Sequence, residues 1–91
     1  MISRTVTITN ALGLHARAAA RFVHAASLFR AQVRVSRGGR EMDGKSIMGL
    51  LLLAAAPGTG ITITASGDDE EAALTALCAL VESGFDEATC A

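Results

Sequence analysis

The stretch ITITASGDDEEAALTAL, residues 61–77, changes its period half-way along. Ile61, Ile63 and Ala65 alternate with Thr62, Thr64 and Ser66, the pattern of a strand with one dry face and one wet face. Beyond Gly67 the alternation stops. Asp68, Asp69, Glu70 and Glu71 stand in a row, and apolar residues return at Leu74, Leu77, Cys78 and Val81. That spacing is the stripe of an amphipathic helix, and acids at its start complement the positive end of the helix dipole. Gly84 supplies a C-terminal stop. A strand feeding directly into a helix, each with a single apolar face, predicts helices laid on one side of a sheet.

The rest of the chain repeats these two patterns. Ile2, Val6 and Ile8 point one way, and Ser3, Thr5, Thr7 and Thr9 the other. In AQVRVSR, Val33 and Val35 point inward and Arg34 and Ser36 outward. Gly38-Gly39 separates that strand from REMD, and a two-glycine link is a hairpin signal. Residues 16–29 place Ala19, Phe22, Val23, Ala26 and Phe29 on one helical stripe, with Arg17, Arg21 and His24 opposite. A second helix runs from Ser46 to about Ala55. Ile47, Leu50, Leu51 and Ala54 make one stripe of it, yet Met48, Leu52 and Ala55 are apolar on the other side. Four strands that are each polar on one face imply an antiparallel sheet with one side in solvent. The expected fold is therefore α+β. It is a two-layer, open-faced β-sandwich of order β-α-β-β-α-β-α, with three helices on one face of a four-stranded antiparallel sheet.

The chain has 91 residues, the length of one small domain over residues 1–91, with residues 85–91 expected as a loose polar tail. The core must be aliphatic, because there is no Trp or Tyr and only three Phe. A net charge of −1 gives no long-range pull toward nucleic acid or an anionic membrane. The longest apolar run, residues 50–57, is far short of the roughly 20 residues that span a bilayer, so no membrane insertion is expected. MISRTVTI lacks the features of a signal peptide, and a cytoplasmic location follows as the expectation. Cys78 falls on the apolar face of the last helix and Cys90 near the end of the chain. Their spacing suggests neither a metal site nor a disulfide framework, and no motif calls for a cofactor.

Chemistry-bearing residues gather at two helix starts. His15 stands where a glycine-bearing loop becomes a helix. If Leu14 or His15 is the boundary residue, the backbone N–H groups of Ala16, Arg17 and Ala18 open toward the ring, and a helix N-terminus is a ready anion site. Arg17 adds a planar donor fork suited to phosphate oxygens. A neutral imidazole is nucleophilic. This set suits a ring that receives, holds and passes on a phosphoryl group. Chemistry alone leaves that reading level with a surface histidine that happens to begin a helix. His24 lies more than two turns into the helix with no anion hole nearby, and reads as a solvated side chain. Ser46 fits an N-cap. It also fits a phosphorylation site, since phosphate is tolerated at a helix N-terminus. Ile47, Met48, Gly49 and Leu52 beside it form an apolar patch of the kind that marks docking. RVSRGGR lacks aromatic residues for base stacking and reads as a solvated turn.

GLHAR at 13–17, KSIMGL at 45–50 and ITITASGDDEEAALTAL at 61–77 together resemble HPr, the histidine-containing phosphocarrier family of the phosphoenolpyruvate-dependent phosphotransferase system. The resemblance runs over nearly the whole chain. It implies that His15 accepts a phosphoryl group on Nδ1 from the phosphohistidine of enzyme I and donates it to a histidine of an enzyme IIA component, with Arg17 steadying the phosphate. It implies that Ser46 is modified by an HPr kinase/phosphorylase, lowering acceptance from enzyme I. The apolar surface of the second helix becomes the docking face for both partners, and a monomer suffices. The family motif reads GLHARPA, whereas Ala18 stands here in place of the proline. That change resembles HPr-like proteins of proteobacterial, often nitrogen-related, phosphotransferase systems, so sugar uptake and regulation both stay open. A regulatory module controlled only through Ser46 is the alternative. A stand-alone enzyme using His15 as base is disfavoured, because no second catalytic group or lid is evident.

Overall fold

The computed structural model describes residues 1–86. Residues 87–91, with Cys90, lie outside that range. The elements follow in the order β1 (Ile2–Thr7), α1 (Ala16–Ser27), β2 (Gln32–Arg37), β3 (Arg40–Asp43), α2 (Ile47–Leu52), β4 (Gly60–Ser66) and α3 (Glu70–Glu82). The strands form one antiparallel sheet in the order β1-β4-β2-β3. This is the expected open-faced sandwich.

Alternation decides which face of the sheet is dry. Val6, Ile61, Ile63, Ala65, Val33 and Val35 are buried, while Ser3, Thr5 and Arg34 between them are exposed. On the open face Thr5 and Thr62 face each other across β1 and β4, with their hydroxyl oxygens 2.9 Å apart. Gly38 and Gly39 both have positive φ (55° and 86°), as the tight hairpin turn requires. The turn sets Arg37 directly opposite Arg40.

The helices close the core from the dry side. Ala18, Ala19, Phe22 and Ala26 of α1, Leu50 of α2 and Ala73, Leu74, Leu77, Cys78 and Val81 of α3 are buried. Burying each large aliphatic or aromatic side chain contributes about 1.5–3 kcal/mol. Cys78 is enclosed, and burial pushes its thiol pKa up. It is an apolar filler rather than a nucleophile.

Three expected boundaries move. α1 ends at Ser27 with Leu28 as C-cap, so Phe29 lies beyond it and is half-buried. α2 stops at Leu52, Ala54 takes a positive φ of 50°, and Ala55, expected on the exposed side, is buried. Residue 85, expected in a loose tail, belongs to the core, because Phe85 is completely buried. The reason is the way α3 ends. Gly84 (φ 75°) donates its N–H to Val81 O at 3.0 Å, and Phe85 donates its own to Leu80 O at 2.8 Å. That is a Schellman termination, which carries an apolar residue at its second position past the helix. The polarity of the following DEATCA hides this when the sequence is read alone.

The acids at the start of α3 do more than meet a dipole. Asp69 is its N-cap residue but makes no side-chain cap bond there. Its carboxylate instead accepts the N–H groups of Arg30 and Ala31, each at 2.8 Å, and ties the α1–β2 connection to α3. Glu70 accepts the N–H of Gly67 at 3.1 Å and pairs with the N-terminal ammonium at 3.0 Å. The Arg30 N–H above all holds the Asp69 carboxyl below its ordinary 3.8, and the Gly67 N–H holds Glu70 below 4.5. A depressed carboxyl contributes stability that is present above its unfolded value and lost as pH falls through the folded one. Stability is therefore expected to drop on the acid side of those values. Asp69→Asn is expected to lower the melting temperature near neutral pH and to flatten the acid limb, as thermal scans from about pH 7 to pH 2 will show.

Candidate functional site

Two loops meet beside His15. Residues 8–15 lead from β1 into α1, and residues 53–59 lead from α2 into β4. Ile8 N–H donates to Thr59 O at 2.9 Å, and Gly58 N–H donates to Ile8 O at 2.8 Å. Leu14 N–H donates to Ala55 O at 2.9 Å. Within the first loop, Gly13 N–H reaches Asn10 O at 3.2 Å, and Asn10 Nδ2 donates to Gly13 O at 2.7 Å. Gly13 has φ +68°, and a Cβ there would stand 2.6 Å from Ala55 O. Only glycine allows the loops to come this close.

His15 is the N-cap of α1, extended at φ −90° and ψ −178°. Its carbonyl accepts the Ala19 N–H at 2.8 Å. Its ring Nδ1 accepts the Arg17 N–H at 3.3 Å. In the neutral ring this bond assigns the lone pair to Nδ1 and the proton to Nε2. The nucleophilic nitrogen thus faces the first turn, where the N–H groups of Ala16 and Ala18 lie beyond the reach of the helix's own carbonyls. The ring is part-exposed and Arg17 is exposed, so both can meet a group carried in by another protein. Ala18 is completely buried, and its methyl belongs to the core.

An open cavity of about 680 Å³ is lined by Arg17, Ala20, Arg21, His24, Ala25, Leu80 and Asp86. His15 is not among its walls, so the part-exposed ring lies outside the cavity. Arg21 donates through Nη1 to Phe85 O at 2.5 Å and acts as a tether. His24 is exposed, as expected of a solvated side chain.

Ser46 is the N-cap of α2, and its Oγ accepts the Gly49 N–H at 3.1 Å. On α2 itself, Met48 is 68 %, Leu52 51 % and Ile47 42 % exposed. α2 has six residues and a rise of about 9 Å. Ser46 caps one end of it, while the loop carrying His15 is bonded just past the other.

Sequence reasoning missed two features. Leu12, in the turn before His15, is 71 % exposed. An apolar residue with no place in either period was its signal. Arg37 and Arg40, read as a solvated turn, instead donate to Leu53 O at 2.9 Å and Leu52 O at 3.1 Å. No local pattern announces this contact, because the acceptors lie more than ten residues away. Among the described residues, no helix is long and apolar enough to cross a membrane, and no three His, Cys, Asp or Glu side chains gather as a metal site would need.

The sequence model described as the phosphorylation site of the phosphotransferase-system HPr component matches residues 2–83. The chain belongs to the HPr phosphocarrier family. It is 48 % identical to the phosphocarrier protein HPr of Cupriavidus necator over 87 residues, which are 96 % of this chain and 98 % of that one. It is 46 % identical to the phosphocarrier protein NPr of Shewanella violacea, with 97 % of each covered. The crystal structure of HPr-C-His from Thermoanaerobacter tengcongensis superposes with a TM-score of 0.92 at 44 % identity, covering 97 % of this chain and 99 % of that one. As an HPr-family protein the chain is a phosphotransferase-system carrier, and its element order is that of the HPr structures.

The approach of the two loops makes Gly13 a test of the site's framework. Gly13→Ala is expected to destabilise the protein by about 1–3 kcal/mol, since a side chain is strained at this φ and meets a backbone oxygen. It is also expected to shift the amide resonances of Leu14 and His15. Urea unfolding and two-dimensional NMR measure both effects.

Proposed function

We propose that the protein carries phosphoryl groups on His15 Nδ1, taking them from the phosphohistidine of enzyme I and passing them to an enzyme IIA component. The observation that carries this reading is the bond from Arg17 N–H to Nδ1. It leaves the lone pair of the neutral ring on the nitrogen that faces a helix N-terminus. In the transfer, that lone pair forms the new N–P bond as the donor's N–P bond breaks, and the electron pair returns to the donor ring. The phosphoryl oxygens then replace the lone pair as acceptors for the first-turn N–H groups of Ala16, Arg17 and Ala18. The Arg17 guanidinium supplies charge-assisted bonds from the solvent side. An exposed ring suits a carrier, because the group must be reachable by two different proteins in turn.

Ile47, Met48, Gly49 and Leu52 form the docking face for these partners, and the protein works there as a cytoplasmic monomer. Ser46 is the regulatory site, modified by an ATP-dependent HPr kinase/phosphorylase. A phosphoserine retains acceptor oxygens for the Gly49 N–H and is tolerated by the helix dipole. Two added charges at the rim of an apolar patch discourage an acidic donor. Alanine at position 18 and the likeness to an NPr protein favour neither sugar uptake nor regulation alone as the output.

With purified enzyme I and labelled phosphoenolpyruvate, the parent protein is expected to take up an acid-labile, alkali-stable phosphate that His15→Ala abolishes. Label retained by His15→Ala would place the chemistry elsewhere. Ser46→Asp is expected to slow transfer from enzyme I roughly tenfold, about 1.4 kcal/mol in the barrier, while circular dichroism stays unchanged. Equal rates for Ser46→Asp and parent would remove the regulatory role.

A further inference from the structure

The β2–β3 hairpin contains an arrangement that strand pairing disfavours. Arg37 and Arg40 stand directly opposite each other across the two-glycine turn, and like charges at facing positions repel. Both guanidinium groups reach the same helix end. Arg37 Nη1 donates to Leu53 O at 2.9 Å, and Arg40 Nη1 donates to Leu52 O at 3.1 Å. Leu52 is the last residue of α2 and Leu53 its C-cap. Two cations thus meet the negative end of the helix dipole and satisfy carbonyls that a helix leaves over.

α2 needs this support. It has six residues and no basic residue in its own last turn, and a helix that short does not hold itself in water. The same hairpin also supplies the bed on which it rests. Ser46 N–H donates to Asp43 O at 3.1 Å at one end. In the middle, a Cβ on Gly49 would come within 3.3 Å of Met42 Cβ, so the missing side chain lets the helix settle close to β3. Beyond the arginines the chain turns at Ala54, with φ +50°. It then presents Ala55 O to Leu14 N–H beside His15.

We infer that Arg37 and Arg40 are positioning residues for partner recognition, which hold α2 from its C-terminal end and so set the attitude of the exposed Met48 and Leu52. They act through the helix rather than on the phosphoryl group. This inference rests on the reading of α2 as the docking face for enzyme I.

The test compares the parent with Arg37→Ala/Arg40→Ala, Arg37→Lys/Arg40→Lys and Arg34→Ala, the last removing a charge from the open sheet face. Each is assayed as the substrate of enzyme I with phosphoenolpyruvate, at about 0.05 M and about 0.5 M salt. Amide hydrogen exchange is followed at Leu53 and Ala54, whose N–H groups donate to Leu50 O and Leu51 O. The double alanine variant is expected to raise KM about tenfold at both salt concentrations with kcat little changed, which is the split that lost binding produces. Exchange at Leu53 and Ala54 is expected to quicken. The double lysine variant should recover most of both effects, and Arg34→Ala should match the parent. Should the double alanine variant fail to fold, Arg37→Gln alone, which shortens the donor and removes its charge, carries the same measurements.

A labelled parent whose variant keeps the parental KM overturns the inference and leaves the carrier reading standing. A KM effect that vanishes at high salt also overturns it, since charge steering then accounts for the change. A parent that takes no label from enzyme I overturns the carrier reading and this inference with it.

Discussion

The hydrogen bond from Leu14 N–H to Ala55 O joins the two crossover connections of the fold, and the rest of the site is arranged around it. On one side of the bond stands His15, the first residue of α1's cap. On the other side the chain has just left α2. A side chain at residue 13 would push the two backbones apart, and with them the ring and the apolar helix face. The paired bonds of Ile8 with Thr59 and Gly58 extend the contact into a short zipper. Through it the strand that begins the chain and the strand at the centre of the sheet share one local frame.

From that frame the chemistry follows with little further machinery. The N-cap position gives His15 an extended backbone and turns Nδ1 toward the first-turn amides. A helix end then serves twice: it orients the ring by one N–H and offers the others to an anion. Arg17 stands in solvent, where a permanent cation costs nothing to desolvate until a partner arrives. The neighbouring cavity does not enclose the ring, which fits a protein whose substrates are groups held by other proteins. Beyond the ring, α2 leaves Ile47, Met48 and Leu52 exposed on the surface.

Most of the architecture was legible along the chain, because both periods are clean. The change from alternation to helical spacing at Gly67 marks a strand and a helix without ambiguity, and Gly38-Gly39 marks the hairpin. His15, Arg17 and Ser46 were legible as candidates because each stands at a helix start, where residue type has a direct physical meaning. The misplacements have a common cause. Phe85 looked like tail because its neighbours are polar, yet a Schellman turn folds it back into the core. Ala55 looked like an exposed helical residue because alanine favours helix, yet α2 is capped at Leu53 and the positive φ of Ala54 turns the chain inward before Ala55. Arg37 and Arg40 looked solvated because the carbonyls they hold are distant in sequence.

By itself the sequence determined the element order, the dry face of each strand, the apolar stripe of each helix and the candidate residues for phosphoryl chemistry. These depend on side-chain spacing and on residue type at helix ends, which are local properties. The tertiary structure alone decided the strand order β1-β4-β2-β3, the meeting of the His15 loop with Ala55, the use of Asp69 to hold the α1–β2 connection and the anchoring of α2 by two arginines. Each of those is a hydrogen bond or pairing between residues far apart along the chain. Its partner is chosen by how the layers pack, and no local period records that choice.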